Sequence, residues 1–289
     1  MVNFRIPPIR LAMPGNTMLW QVLAGLLVVQ SLVLSGLTQT PEDVMFLVLV
    51  WAGAYLVFEE PFPWHSPHPS RFGVWLGFSL VLWVLWRSHL IFSLEAGASL
   101  LPLLVGIALT LLAVPPRGFQ AFLPSLLILA LLPVMRALLA VVPLQNLIKV
   151  NAQLVKFLLV IGGIPVRQTA DTVTIPGGSI QILEACTGMS TLLQLLLVAI
   201  IFALAFPMRF RWQNLLMALV AMAFGLLVNG IRLVVLTLIV ANGGPNKQWW
   251  FELFHTGWPS LLFPGIAMVL FLQVYIAWME RQVAQLEEQ

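Results

Sequence analysis

The sequence predicts an all-α polytopic membrane protein of about eight transmembrane helices. An interfacial amphipathic helix and a short extracytoplasmic β-hairpin are expected just ahead of the single cysteine. Two observations carry the prediction. Of 289 residues, 60% are hydrophobic and only 9% charged, against about 25% charged in an ordinary soluble domain. The apolar residues are also gathered into runs of roughly 20, the length that crosses a bilayer as a helix. A third observation places the exception: between Pro143 and Leu183 the pattern becomes amphipathic and then alternates with period two.

The first span is expected over about Thr17–Leu37, after a polar stretch bearing Arg5 and Arg10 and no sign of a cleavable signal peptide. The second, about Val44–Phe58, follows a loop at 38–43 without basic residues. A proline-broken inner loop holds Glu59, Glu60, His65 and His68. It reads as solvated, since the two histidines lack further metal ligands nearby. Spans three to five are expected over about Phe72–Phe92, Ala96–Val114 and Phe119–Val142. In the amphipathic stretch, Leu144, Leu147, Ile148, Leu154, Phe157 and Leu158 recur near helical spacing, with Lys149, Asn151 and Lys156 between them. Thr172–Ile175 and Ser179–Ile182, separated by Pro176, Gly177 and Gly178, give the hairpin signal. Spans six to eight are expected over about Cys186–Phe206, Asn214–Val240 and Trp258–Met279.

The basic residues of the short loops, among them Arg71, Arg117, Arg209, Arg211 and Arg281, all fall on one side of this arrangement. That side is therefore cytoplasmic, with both termini on it. The formal charge of +3 is spread over these loops and suggests no nucleic-acid partner. The organisation expected is one membrane domain over 1–289: a five-helix part at 1–142, the extracytoplasmic helix and hairpin at 143–185, a three-helix part at 186–279 and a cytoplasmic tail at 280–289.

Spans six and seven fold back at about Arg209, so reflecting Cys186 through that turn lands on Arg232. Both then lie roughly 30 Å from the inner turn, near the outer face. His255, just before span eight, is on the same side. A thiol attacks as its thiolate, and a span beginning at Cys186 offers unpaired backbone N–H groups that favour negative charge. His255 is placed to accept the thiol proton. A cation inside a bilayer needs an anion or an aqueous cavity, and an oxyanion formed in acyl transfer is one such anion. Asn229 lies one helical turn from Arg232, able to position it or a substrate carbonyl. Blander readings stand beside these: a lone membrane cysteine is more often a small buried hydrophobe, Glu184 is a candidate counter-ion for Arg232, and a loop histidine is usually solvated.

At Glu184-Ala185-Cys186-Thr187-Gly188, Asn229-Gly230-Ile231-Arg232 and His255 the sequence resembles the exosortase/archaeosortase family of polytopic membrane cysteine transpeptidases. The family pattern is a Cys-Ser-Gly-type motif after a β-like stretch, an Asn-x-x-Arg motif in the next helix and a His or Arg before the last. The resemblance covers roughly residues 140–280. Thr187 departs from the usual Ser but keeps the hydroxyl. A cyanobacterial-type exosortase is the expected subtype. The resemblance implies a plasma-membrane enzyme with its site on the extracytoplasmic side. Cys186, Arg232 and His255 would be catalytic, with Glu184, Thr187, Gly188 and Asn229 supporting. No metal or organic cofactor is called for. The implied partners, besides the lipid bilayer, are exported proteins with a carboxy-terminal tail of a Pro-Glu-Pro-like motif, a span and a basic cluster, and an unidentified acyl acceptor, or water. The alternative is a transporter whose Arg87, Arg136 and Arg232 line an anion pathway; a non-enzymatic scaffold is a third reading. No Gly-x-Ser-x-Gly or His-Glu-x-x-His sequence occurs to suggest a serine or zinc protease.

Overall fold

The computed structural model describes Gly25 and residues 41–57, 70–89, 98–115 and 118–287. The first expected span apart from Gly25, the loop with His65 and His68, and Arg117 lie outside them. Nine α-helices occur among the described elements: α1 (Pro41–Val57), α2 (Arg71–His89), α3 (Leu101–Ala113), α4 (Phe119–Val141), α5 (Gln145–Ile161), α6 (Met189–Ala205), α7 (Arg211–Asn242), α8 (Lys247–His255) and α9 (Leu262–Glu287). Between α5 and α6 lie β1 (Arg167–Thr169), β2 (Thr172–Ile175) and β3 (Gly178–Gln181).

By length and composition, three of the described helical segments can cross a membrane: Phe119–Val141, Arg211–Asn242 and Trp258–Gln285. Leu101–Ala113 and Met189–Ala205 are apolar but shorter. At 1.5 Å per residue, 13 to 17 residues fall short of a hydrocarbon core about 30 Å thick. The expectation of about eight full spans is thus carried by three described helices.

The helix α7 is the spine. It packs against α6, α9, α5, α8 and β3. One side of the core joins α1, α4 and α6 through Phe46, Val50, Leu129 and Leu197. A second layer joins α6, α7 and α9 through Leu195, Met217, Phe271 and Tyr275. The Tyr275 hydroxyl lies 2.8 Å from the Phe206 carbonyl and 3.2 Å from that of Phe202, which ties α9 to the end of α6. Val81, Val84, Val105 and Leu112 hold α2 on α3.

The stretch before the cysteine is more structured than a hairpin. Its three strands form an antiparallel sheet in the order β1-β2-β3. Ile175 pairs with Gly178, leaving Pro176-Gly177 as the turn, with Gly177 at φ 94°. Proline presets the first turn position, and glycine accepts the positive φ at the second. Val173, Ile175, Ile180 and Ile182 are buried while Thr174, Ser179 and Gln181 are exposed, the period-two division of a half-covered sheet. Strand β1 was missed by sequence reading because Arg167-Gln168-Thr169 is polar throughout. It pairs through its backbone, without an apolar face.

The amphipathic helix forms as expected, but its buried face differs. Ile148, Asn151, Ala152, Val155 and Leu159 point inward, while Phe157, Lys149 and Lys156 are exposed. The apolar members meet the sheet and Leu233 and Leu236 of α7. Close approach of α5 to α7 depends on Gly230: a Cβ there would stand 2.6 Å from Leu154 Cδ2 and 2.9 Å from its Cγ. Gly230→Val is therefore expected to lower stability by about 1–3 kcal/mol through overpacking. Thermal unfolding of the detergent-purified protein, read by circular dichroism, checks this; an unshifted midpoint would contradict the packing described.

Candidate active site

The sheet delivers the chain to a short 3-10 turn, Glu184–Cys186. Cys186 therefore does not open the long helix, as the sequence suggested; α6 begins three residues later, at Met189, behind Gly188. The turn closes locally. The Cys186 N–H donates to the Leu183 carbonyl at 2.9 Å, and the Thr187 N–H to that of Glu184 at 3.2 Å. The Thr187 hydroxyl donates to the same Glu184 carbonyl at 2.8 Å. Thr187 thus contributes its hydroxyl to turn closure, and its side chain is buried. Gly188 sits at φ 67°, and a Cβ there would lie 2.2 Å from Asn229 Cγ. Backbone conformation and space both require glycine.

Two asparagines grip the turn from behind. Asn229 Nδ2 donates to the Cys186 carbonyl at 3.2 Å and to Asn151 Oδ1 at 2.9 Å. Asn151 Nδ2 donates to the carbonyls of Thr187 and Leu147, each at 2.9 Å. Asn151 is fully buried, Asn229 nearly so. Sequence reading put Asn151 among polar residues of an interfacial helix. The available signal was its spacing, three and four residues from Ile148 and Val155, on the helix's apolar face.

The thiol is half-buried and meets the imidazole of His255, with Sγ 3.2 Å from Nε2. His255 ends α8, and its ring stacks on Phe251 at a centroid distance of 5.1 Å. Arg232, only 5% exposed, holds the other side of that helix end. Its Nε donates to the Phe254 carbonyl at 3.3 Å, and Nη2 donates to the His255 carbonyl. These carbonyls belong to the last turn of α8, where backbone acceptors lack helical partners. The third nitrogen, Nη1, lies 3.7 Å from Glu42 Oε1 in the first turn of α1.

The structure thus brings Cys186, Arg232, His255, Thr187, Gly188 and Asn229 together. The carboxylate facing Arg232 is that of Glu42; Glu184 is exposed and joins the site through its backbone carbonyl. Glu42 was missed because it lies far from Arg232 in sequence, in what reads as a loop. Of the other arginines, Arg136 forms an ion pair with Asp43, and Arg87 is exposed on α2.

Burial pushes the Cys186 thiol pKa up, opposed by the Leu183 hydrogen bond and the Arg232 charge. Burial pushes the His255 pKa down, and the Arg232 charge pushes it the same way. Both directions favour neutral thiol beside neutral imidazole over a preformed thiolate–imidazolium pair. The imidazole is then free to accept the thiol proton.

Two outcomes follow from this geometry. Labelling of Cys186, the chain's single cysteine, by iodoacetamide should rise mainly on the alkaline side of the ordinary thiol range. A large acid-side plateau of reactivity would instead mark a resting ion pair. Gly188→Ala should destabilise the protein by roughly 3 kcal/mol, combining positive-φ strain with overpacking against Asn229. It should also alter the Cys186 labelling rate, and an unchanged melting midpoint and rate would refute the constraint.

A family model described as transmembrane exosortase matches residues 37–285, which include every residue of the site above. No curated protein and no solved structure matches the chain. The matched region takes in both the helices before the sheet and the cysteine, arginine and histidine segments after it, and the chain belongs to the transmembrane exosortase family of membrane cysteine transpeptidases.

Proposed function

We propose that this membrane protein cleaves the carboxy-terminal sorting tail of exported proteins through an acyl-thioester on Cys186, then passes the acyl group to an acceptor or to water. The observation that carries this reading is the 3.2 Å approach of Cys186 Sγ to His255 Nε2. As Sγ attacks the scissile carbonyl carbon, His255 takes the thiol proton, and the carbonyl oxygen becomes an oxyanion. Two nitrogens of Arg232 are engaged by backbone carbonyls. Nη1, beyond hydrogen-bond distance of Glu42, is the nitrogen available to that oxyanion. Collapse breaks the peptide C–N bond, and the departing amine takes the proton from His255. The second nucleophile gives its own proton to His255 as it attacks the thioester, and the thiol is restored.

The tail would approach from the side. An open apolar cavity of about 410 Å³ lies between the α4–α5 junction, α5, α6 and α7, lined by residues including Val142, Leu147, Val150, Met189, Leu193 and Leu196. It begins one turn beyond Cys186 and descends along α6, a course suited to the membrane segment of a substrate. With the basic end of the tail and both protein termini on the cytoplasmic side of the plasma membrane, the scissile motif would meet Cys186 at the extracytoplasmic rim. The scissile motif would be a Pro-Glu-Pro-like sequence.

Co-expression with an exported reporter carrying the tripartite tail tests it, by following the reporter's size on a gel. Cys186→Ala should abolish processing. His255→Ala should lower it by about 10²–10⁴-fold, the usual range for losing a proton-transfer group. Arg232→Ala should lower it by roughly 10²–10³-fold. Undiminished processing by Cys186→Ala at equal protein level would sink the thiol mechanism.

A further inference from the structure

We propose that Glu42 is a positioning residue for this site: through Arg232 it sets the charge beside Cys186 and His255 and keeps the guanidinium on the His255 turn. The inference deepens the proposed function and rests on it for the chemistry.

Among the described residues, the charged partner of the Glu42 carboxylate, in the first turn of α1, is Arg232. The Glu42 backbone carbonyl accepts from Gln194 Nε2 of α6 at 3.0 Å, and Gln194 is fully buried. Asp43, the neighbouring acid, pairs with Arg136 of α4. Two attachments therefore fix the turn without the Glu42 side chain. That side chain faces Arg232, a cation almost removed from solvent. An enclosed cation needs compensating charge, and the carbonyls of Phe254 and His255 supply only partial charge.

At 3.7 Å, Nη1 and Oε1 attract without a hydrogen bond. The guanidinium is balanced, yet the Nη1 hydrogens stay available. Among the described residues, the ionisable or charged groups facing Arg232 are Glu42 from α1 and His255 from α8, and those facing Cys186 are His255 and Arg232. Glu184 is exposed. Removing the Glu42 charge leaves the Arg232 field opposed, among the described groups, by the partial charges of the Phe254 and His255 carbonyls. Thiolate then forms more readily, while imidazolium, which must form in the reaction, becomes harder to reach. The two consequences move in opposite directions. A purely structural loosening also exposes the thiol and slows processing, so restoring the charge with a different side chain is what separates the two.

The test uses the full-length protein in membranes and two readouts. Glu42→Gln keeps the shape and removes the charge. Iodoacetamide labelling of Cys186 at neutral pH should become about threefold faster, its pH midpoint moving to lower pH. Processing of the tail-bearing reporter should meanwhile fall about tenfold. Glu42→Asp, which restores the charge, should move both readouts back toward the parent. Asp43→Asn should change labelling less than Glu42→Gln does. Parental labelling and processing in Glu42→Gln would overturn the proposal, as would an equal labelling change in Asp43→Asn. Should the parent itself leave the reporter uncut, the proposed function fails on its own. The labelling arm still decides whether Glu42 governs the charge at Cys186.

Discussion

A guanidinium enclosed by an apolar bundle is the constraint on which this structure turns. Arg232 cannot shed its charge, so the surroundings must answer it. They do so from two directions. The end of α8 offers the Phe254 and His255 carbonyls, which carry the negative end of the helix dipole and lack helical donors. The start of α1 offers Glu42, at the end of a helix where acids are favoured. One side chain on α7 thereby fixes two further segments remote in sequence. The histidine is held by its backbone, which leaves its ring free to face the thiol.

Much of this could be read before any coordinates. The hairpin of spans six and seven, folded at Arg209, carries Cys186 and Arg232 to the same depth because helical rise per residue is constant. The basic turn marked the fold, and the period-two pattern marked β2 and β3. What stayed hidden depends on contacts that no local pattern encodes. Glu42 reaches Arg232 only because α1 packs on α6, a pairing that hydrophobicity alone does not select. Asn151 reads as polar relief on an amphipathic helix until Asn229 and Thr187 are brought against it. Span lengths were overestimated where apolar residues continue past a helix end: Cys186 is apolar enough to extend the sixth run, yet Gly188 adopts a positive φ and resets the chain.

The thiol and imidazole sit where burial opposes charge separation, while Arg232 pulls the two groups in different senses. Its field favours thiolate and disfavours imidazolium. Burial, the largest influence on each group, leaves neutral thiol beside neutral imidazole favoured over an ion pair.

The orientation of the Cys186 turn follows from the limited repertoire of two amides. Both N–H groups of Asn151 go to backbone carbonyls, of Leu147 and Thr187, which can only accept. Its Oδ1 must therefore be the atom facing Asn229, and Asn229 must present Nδ2 to it. The same Nδ2 then has its other hydrogen for the Cys186 carbonyl. Each amide thus fixes the next, and consecutive carbonyls, of Cys186 and Thr187, are both drawn toward the α5–α7 interface. The peptide groups on either side of Thr187 lose their freedom to rotate, which fixes the Cα–Cβ bond of Cys186 from which Sγ reaches His255.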